Sequence, residues 1–299
     1  MPQKKIELSK PRDFGEIIND TFLFVRQNFK PLMKYFFIFC GIFLFASIVA
    51  SVVTQLKVIR TFTNYNPDSF DNDDILSRYS FLSLRYLISL FFLLLQYSAI
   101  NVMVLCYVTL YRQKQNNIPT TEEMWGYFKF YYLKILGAAF ILGILTILGC
   151  FLCFLPGIYL GVVFSLVAPI MIIENASFGY AFNQCFRLIK DNWWVTFGAL
   201  IVIGIMLYVV RMIIVVPSAI VNMSSIVSPG VTRSSVYTIT TIISTILVQM
   251  SNVFQMLAIV TVSLCYFNLS ESKDATSLLE RMNQFGQAPS DSNINPEEY

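Results

Sequence analysis

The chain has no histidine and little charge of either sign. The first absence removes Ser-His-Asp and Cys-His activation of a nucleophile, together with every metal site that needs an imidazole. Charged residues make up 13% of the sequence, about half the share usual in soluble domains. A net charge of +3 gives no basis for a nucleic-acid partner. Cysteine offers little more. Cys40, Cys106, Cys185 and Cys265 are scattered, and the C-x-x-C of Cys150 and Cys153 lacks further ligands at zinc spacing. With no catalytic constellation, metal or cofactor set, the sequence reads as a non-enzyme. An intramembrane enzyme working without histidine is the remaining alternative.

What fills the chain is apolar length. Ile135 to Ile173 is a run of 39 uncharged residues, broken only by Pro156-Gly157, which reads as two membrane spans joined by a tight turn. A bilayer core needs roughly 20 apolar residues as a helix, and lipid cannot satisfy open peptide groups. Tyr35–Leu56, Tyr86–Tyr111, Ile135–Leu155, Gly157–Ile173, Trp193–Val210 and a long run near Tyr237–Phe267 fit that length. The expected fold is therefore all-α and polytopic, with six transmembrane helices. Residues 1–34 precede them, 35–268 form the membrane domain, and 269–299 form a polar, acidic, partly disordered tail.

Lys and Arg orient the spans. Fifteen of the 21 lie on the side of both termini, among them Lys4, Lys5, Lys10, Lys129, Lys134, Arg187, Lys190 and Lys273. Five, including Lys57, Arg85 and Arg233, lie opposite, and Arg211 stands at a span end. Both termini are expected in the cytoplasm. No cleavable signal peptide is visible, so the first span is expected to be its own insertion signal. The outer loop 57–80 carries Asp68, Asp71, Asp73 and Asp74, which lack EF-hand spacing and read as a solvated loop.

A repeat underlies the spans. Phe14, Gly15, Asn19, Phe22, Arg26, Asn28 and Phe29 recur 164 residues later as Phe178, Gly179, Asn183, Phe186, Lys190, Asn192 and Trp193. Positions 14, 17, 18, 22, 25 and 29 give an apolar helical face, and Asp13 with Glu16 has capping-box spacing. A weaker third copy runs from Thr120 through Met124, Trp125, Phe128 and Tyr132. The expected architecture is three units of amphipathic helix plus two spans. Each amphipathic helix is expected in the interface, with cations such as Arg12, Arg26 and Lys30 toward lipid headgroups. The alternative is that these segments extend spans one, three and five.

The stretch Leu155-Pro-Gly-Ile-Tyr-Leu160, followed by Phe164, Pro169, Glu174 and 178–194, resembles a bacterial membrane family. It is similar to the integral-membrane domain associated with glycerophosphodiester phosphodiesterases and to YciC-like proteins, best over residues 135–200. The resemblance implies a multi-span helical domain of the bacterial inner membrane connected with envelope or lipid homeostasis. It implies no catalysis, because the phosphodiesterase barrel is a separate domain.

Several residues are candidates for lipid or solute contact. Glu174, at the cytoplasmic end of span four, either binds a cation, pairs with Arg187 or Lys190, or is a solvated end-of-helix residue beside the Ser177 cap. Arg211 either snorkels to phosphate or lines a bundle cavity. Pro156, Gly157 and Gly161 are expected to serve the turn and close helix packing, as is the patch Gly137–Ala139. Gln96, Asn101, Gln249, Asn252 and Gln255 either bond between helices or line a polar path.

Two functions follow. The first is a protein that organises or senses membrane lipid through its amphipathic helices. The second is a transporter or channel for a small solute or amphiphile, supported by the repeat and the polar residues within spans. Membrane lipids are the expected partners, with a homo-oligomer or a membrane-protein partner left open. A dry bundle favours the first function, and a cavity reaching Arg211 favours the second.

Overall fold

The computed structural model describes residues 6–63, 84–115, 117–152, 154–190, 192–227 and 235–286. All regular structure among them is helical, and six helices are long and apolar enough to cross a membrane. The protein is thus an all-α polytopic bundle. The Asp-bearing loop, Cys153 and the tail beyond Gly286 lie outside the described residues.

Helix α1 (Phe14–Gln27) opens with the Asp13 amide donating to Glu16 Oε2 at 3.3 Å, and ends at Asn28. The Asn28 side chain donates to the Phe24 carbonyl at 3.0 Å, ending the helix before α2 (Phe29–Tyr35) begins. A π-helical turn, Phe36–Cys40, joins α2 to α3 (Gly41–Thr63). Helix α4 (Leu84–Gln113) is the centre of the bundle. From Ala99 to Tyr111 nearly every side chain is buried, as expected of a helix apolar all round.

Residues Thr121–Leu152 form a single helix, α5, so the third copy of the amphipathic segment is continuous with its span. Thr120 and Glu123 cap it reciprocally, the Thr120 amide donating to Glu123 Oε2 at 2.8 Å. Span four is split at Leu166 into α6 (Phe154–Ser165) and α7 (Val167–Ile173). Pro169 explains the break, because its ring has no N–H and crowds the carbonyl four residues back, at Ser165. Helix α8 (Phe178–Ile189) follows, and Asn192 then separates it from α9 (Trp193–Val227). Span six comprises α10 (Ser235–Ser251), a 3-10 turn at Asn252–Phe254, and α11 (Gln255–Gly286). The first part of the expected tail, through Gly286, therefore continues the helix of span six.

Both α1 and α8 dock on the bundle. Their buried positions correspond across the 164-residue offset: Ile17, Thr21 and Phe24 in α1, and Ala181, Cys185 and Leu188 in α8. Arg12 does not face headgroups. Its side chain is fully buried, bonded to Asp20 Oδ2 at 2.9 Å and to the Leu8 carbonyl at 2.7 Å, with the Glu7 carbonyl as a further acceptor. Its backbone amide donates to Asn268 Oδ1 on α11 at 2.8 Å, and Thr21 meets Thr261 at 3.2 Å. We call this end of the bundle, where α1, α8 and Lys273 lie, the basal end. Away from it, Phe91, Phe140, Ile144, Leu148, Ile205 and Ile213 point outward and exposed. An apolar exterior of this extent matches a lipid surround.

Each leading segment lies on the preceding pair of spans. The start of α5 stacks Phe128 on Phe39 (5.2 Å between ring centroids) and Tyr132 on Phe43 (5.2 Å). Helix α8 sets Phe182 against Phe164 of α6 at 5.6 Å. Helix α1 closes the ring by packing on α11 and on Gly198 of α9, where Phe14 lies.

Candidate functional site

Span one presents Ser47 and Ser51, one helical turn apart, toward two other spans. The Ser47 hydroxyl donates to Gln96 Oε1 of α4 at 2.6 Å, and Ser51 accepts from Gln249 Nε2 of α10 at 2.7 Å. Asn252 Nδ2 continues the chain to Gln249 Oε1 at 3.0 Å. Interhelical bonding is thus what Gln96 and Gln249 do, whereas Asn101 bonds the Tyr97 carbonyl of its own helix. The serines were the missed partners. Their i, i+4 spacing on an otherwise apolar span was the available signal.

These bonds border a cavity of about 430 Å³ between α4, α9 and the α10–α11 junction. Gln96, Arg211, Ser251, Asn252 and Gln255 supply its polar lining, and Leu93, Ile100, Leu207 and Ala258 are among its apolar walls. The elements explain the meeting. Arg211 lies 18 residues beyond Trp193, Gln96 lies 17 before Gln113, and Gln255 lies 18 before Lys273, so all three stand roughly 26 Å from the basal end. The 3-10 turn Asn252–Phe254 falls at the same level. Non-α backbone at membrane depth is tolerated where it lines a cavity, and broken spans are a common device of solute sites.

Two polar groups in this cavity lack protein partners. Gln96 is 1% exposed and its Nε2 has no hydrogen-bond acceptor among the described residues. Arg211 has no carboxylate partner among them either, and the cavity lining contains no Asp or Glu. Span five does not stop at Val210. The apolar helix runs on to Pro217, so Arg211 sits inside an apolar stretch instead of at its end. Tyr97, Tyr208 and Phe254 line the same cavity and remain 47%, 58% and 45% exposed, giving it a sideways mouth on the outer surface of the bundle. These aromatics went unnoticed in the sequence because isolated Tyr and Phe are ordinary in apolar spans.

Compared with known proteins, the chain matches no family model, no curated protein and no solved structure.

The other candidates are drawn into structure. Glu174 ends α7 and its Oε1 accepts from Tyr266 of α11 at 2.7 Å; among the described residues it makes no ion pair with Arg187 or Lys190. Asn175 follows in the left-handed region (φ 52°), which Asn tolerates, and its Oδ1 accepts from Tyr131 at 2.7 Å. The Ala176 amide returns to the Met171 carbonyl at 3.1 Å, completing a Schellman turn, and Ser177 caps α8. Arg187 contributes its carbonyl, which accepts from Lys273 Nζ, while its side chain and that of Lys190 are exposed.

Gly157 is where α5 and α6 touch. A Cβ there would lie 2.8 Å from Cys150 Cα and 2.9 Å from Cys150 N. Pro156 sits in the first turn of α6, where a missing N–H costs nothing. Gly161 is looser, with only Thr146 Cγ2 at 4.0 Å, and Gly137 faces open space. Cys150 is exposed, and no group of three metal-ligating side chains occurs among the described residues.

Proposed function

We propose that the protein is a non-enzymatic bacterial inner-membrane protein that takes a small solute or amphiphile into the cavity beside Arg211, as a carrier or channel. The carrying observation is the cavity itself, with a cation and an unpartnered buried amide on its wall and a broken span beside it. An unpartnered buried amide is costly in a scaffold and useful in a binding site. The alternative, lipid sensing by exposed amphipathic helices, has less support, because Ile17, Thr21, Phe24 and their counterparts in α8 are spent on packing.

The matching buried positions of α1 and α8 support an internal duplication, and duplicated units are common among secondary transporters. The Lys and Arg bias supports cytoplasmic basal ends. The mouth at Tyr97 and Tyr208 then belongs to the outer half of the bilayer. The resemblance to the phosphodiesterase-associated membrane domain fits a role in lipid or envelope homeostasis.

Arg211 tests the reading. Arg211→Lys and Arg211→Leu should both insert and melt near wild type, since the side chain makes no protein ion pair among the described residues. Neither should complement a deletion strain, because a planar guanidinium holding a ligand is not replaced by an ammonium. Full complementation by both stable variants would reject the cavity as the functional site.

A further inference from the structure

The mouth of the cavity and its wall differ in chemistry, and the difference selects a class of ligand. The wall has one charge, from Arg211, with no carboxylate among its lining residues. The Gln96 amide lies behind that wall, its Nε2 covered and without an acceptor among the described residues. A ligand matching Arg211 carries an anionic head with several acceptor oxygens. A cationic head would be repelled there, and a neutral one would leave the guanidinium charge uncompensated.

The mouth asks for something else. Tyr97, Tyr208 and Phe254 flank it on the exposed apolar flank of the bundle, where Leu93, Ile205 and Val209 are also exposed. It opens about 26 Å along the helices, on their sides instead of at their ends. A ligand arriving there comes from within the bilayer. A volume of about 430 Å³ accommodates a head group and the first part of a chain, leaving the rest of that chain in lipid.

Resting on the cavity reading above, we infer that the ligand is an anionic amphiphile that enters sideways from the bilayer. Its acidic head meets Arg211, and its acyl chain leaves between Tyr97 and Tyr208. A fatty-acid carboxylate and the phosphodiester of an acidic phospholipid share this chemistry.

The test is equilibrium binding of labelled oleate to the purified full-length protein in neutral detergent. Competitors are oleyl alcohol, phosphatidylglycerol and inorganic phosphate, and Arg211→Gln, Gln96→Leu and Lys129→Gln are compared with wild type. Saturable oleate binding is expected, weakened roughly tenfold or more by Arg211→Gln, much less affected by Gln96→Leu behind the wall, and unchanged by Lys129→Gln on the distant surface of α5. Oleyl alcohol should compete poorly. Competition by phosphatidylglycerol marks a phosphodiester head as acceptable, and its failure restricts the head to a carboxylate; either result keeps the class. Oleate and oleyl alcohol binding equally, indifferent to Arg211→Gln, would overturn the inference. Arg211-dependent binding of phosphate without oleate would also overturn it while leaving the cavity reading standing. If no probe binds and both Arg211 variants complement, the cavity reading falls as well.

Discussion

Arg12 and Gln96 show two opposite fates of a buried polar residue. Arg12 is surrounded: Asp20 neutralises it, and the carbonyls of Glu7, Leu8 and Lys10 accept three further hydrogen bonds from its guanidinium. Removing one partner of such a pair strands the other charge, so Arg12→Ala should cost roughly 3–5 kcal/mol. The cost should appear as a lowered melting temperature in detergent and as new protease cleavage within α1. An unshifted melt would mean that α1 is not docked as described. Gln96 is left half-paired, with Oε1 on Ser47 and Nε2 covered and without an acceptor among the described residues. Gln96→Leu removes that unpaired donor, and Ser47 keeps the Leu44 carbonyl at 2.9 Å. This variant should therefore melt at or above the wild-type temperature, since it removes a buried donor that has no acceptor among the described residues. A clear drop in melting temperature would assign the amide to packing instead.

Among elements, the hairpin of α5 and α6 depends on one missing side chain. Gly157→Ala would put a methyl group within 3 Å of Cys150 backbone atoms, which cannot move aside as a flexible side chain does. Separating the helices should cost about 1–3 kcal/mol, by analogy with overpacked cores. Gly161→Ala, with open space around it, should be nearly neutral, and thermal melts of the two variants make the comparison. Equal melts would contradict the close approach at Gly157. That the run folds back was legible, because an uncharged stretch of this length has to do so to stay in the membrane, although the break falls between Leu152 and Phe154 and Pro156-Gly157 lie within α6. That the contact pairs Gly157 with Cys150 was not, since small-residue spacing along one helix says nothing of what the partner offers. The amphipathic segments show the same limit. Their periodicity announced helices, but an apolar face fits a lipid surface and a protein surface equally well. Only the partners of Thr21 and Phe14, some 240 and 184 residues away, decide for protein.

For the molecule as a whole, six spans were legible because hydropathy acts over lengths of about 20 residues and needs no partner. The ring in which each leading segment lies on the preceding pair of spans was not legible, because it rests on long-range pairs such as Arg12 with Asn268. Nor was the cavity, which takes shape only when three spans bring Gln96, Arg211 and Gln255 to one level. Reporter fusions within residues 64–83 and at the C-terminus should report opposite compartments, with the C-terminus cytoplasmic; equal signals would contradict the six-span topology. The central claim, a lipid-facing cavity at Arg211, is tested most directly by photo-crosslinking. An acidic lipid carrying a photoreactive group on its acyl chain is incorporated into membranes containing the full-length protein, and labelled residues are mapped by mass spectrometry. Labelling should concentrate at Tyr97, Tyr208 and Phe254 and fall sharply in Arg211→Leu. Labelling spread evenly over exposed apolar residues such as Phe140 and Leu148, and unchanged in Arg211→Leu, would contradict the account.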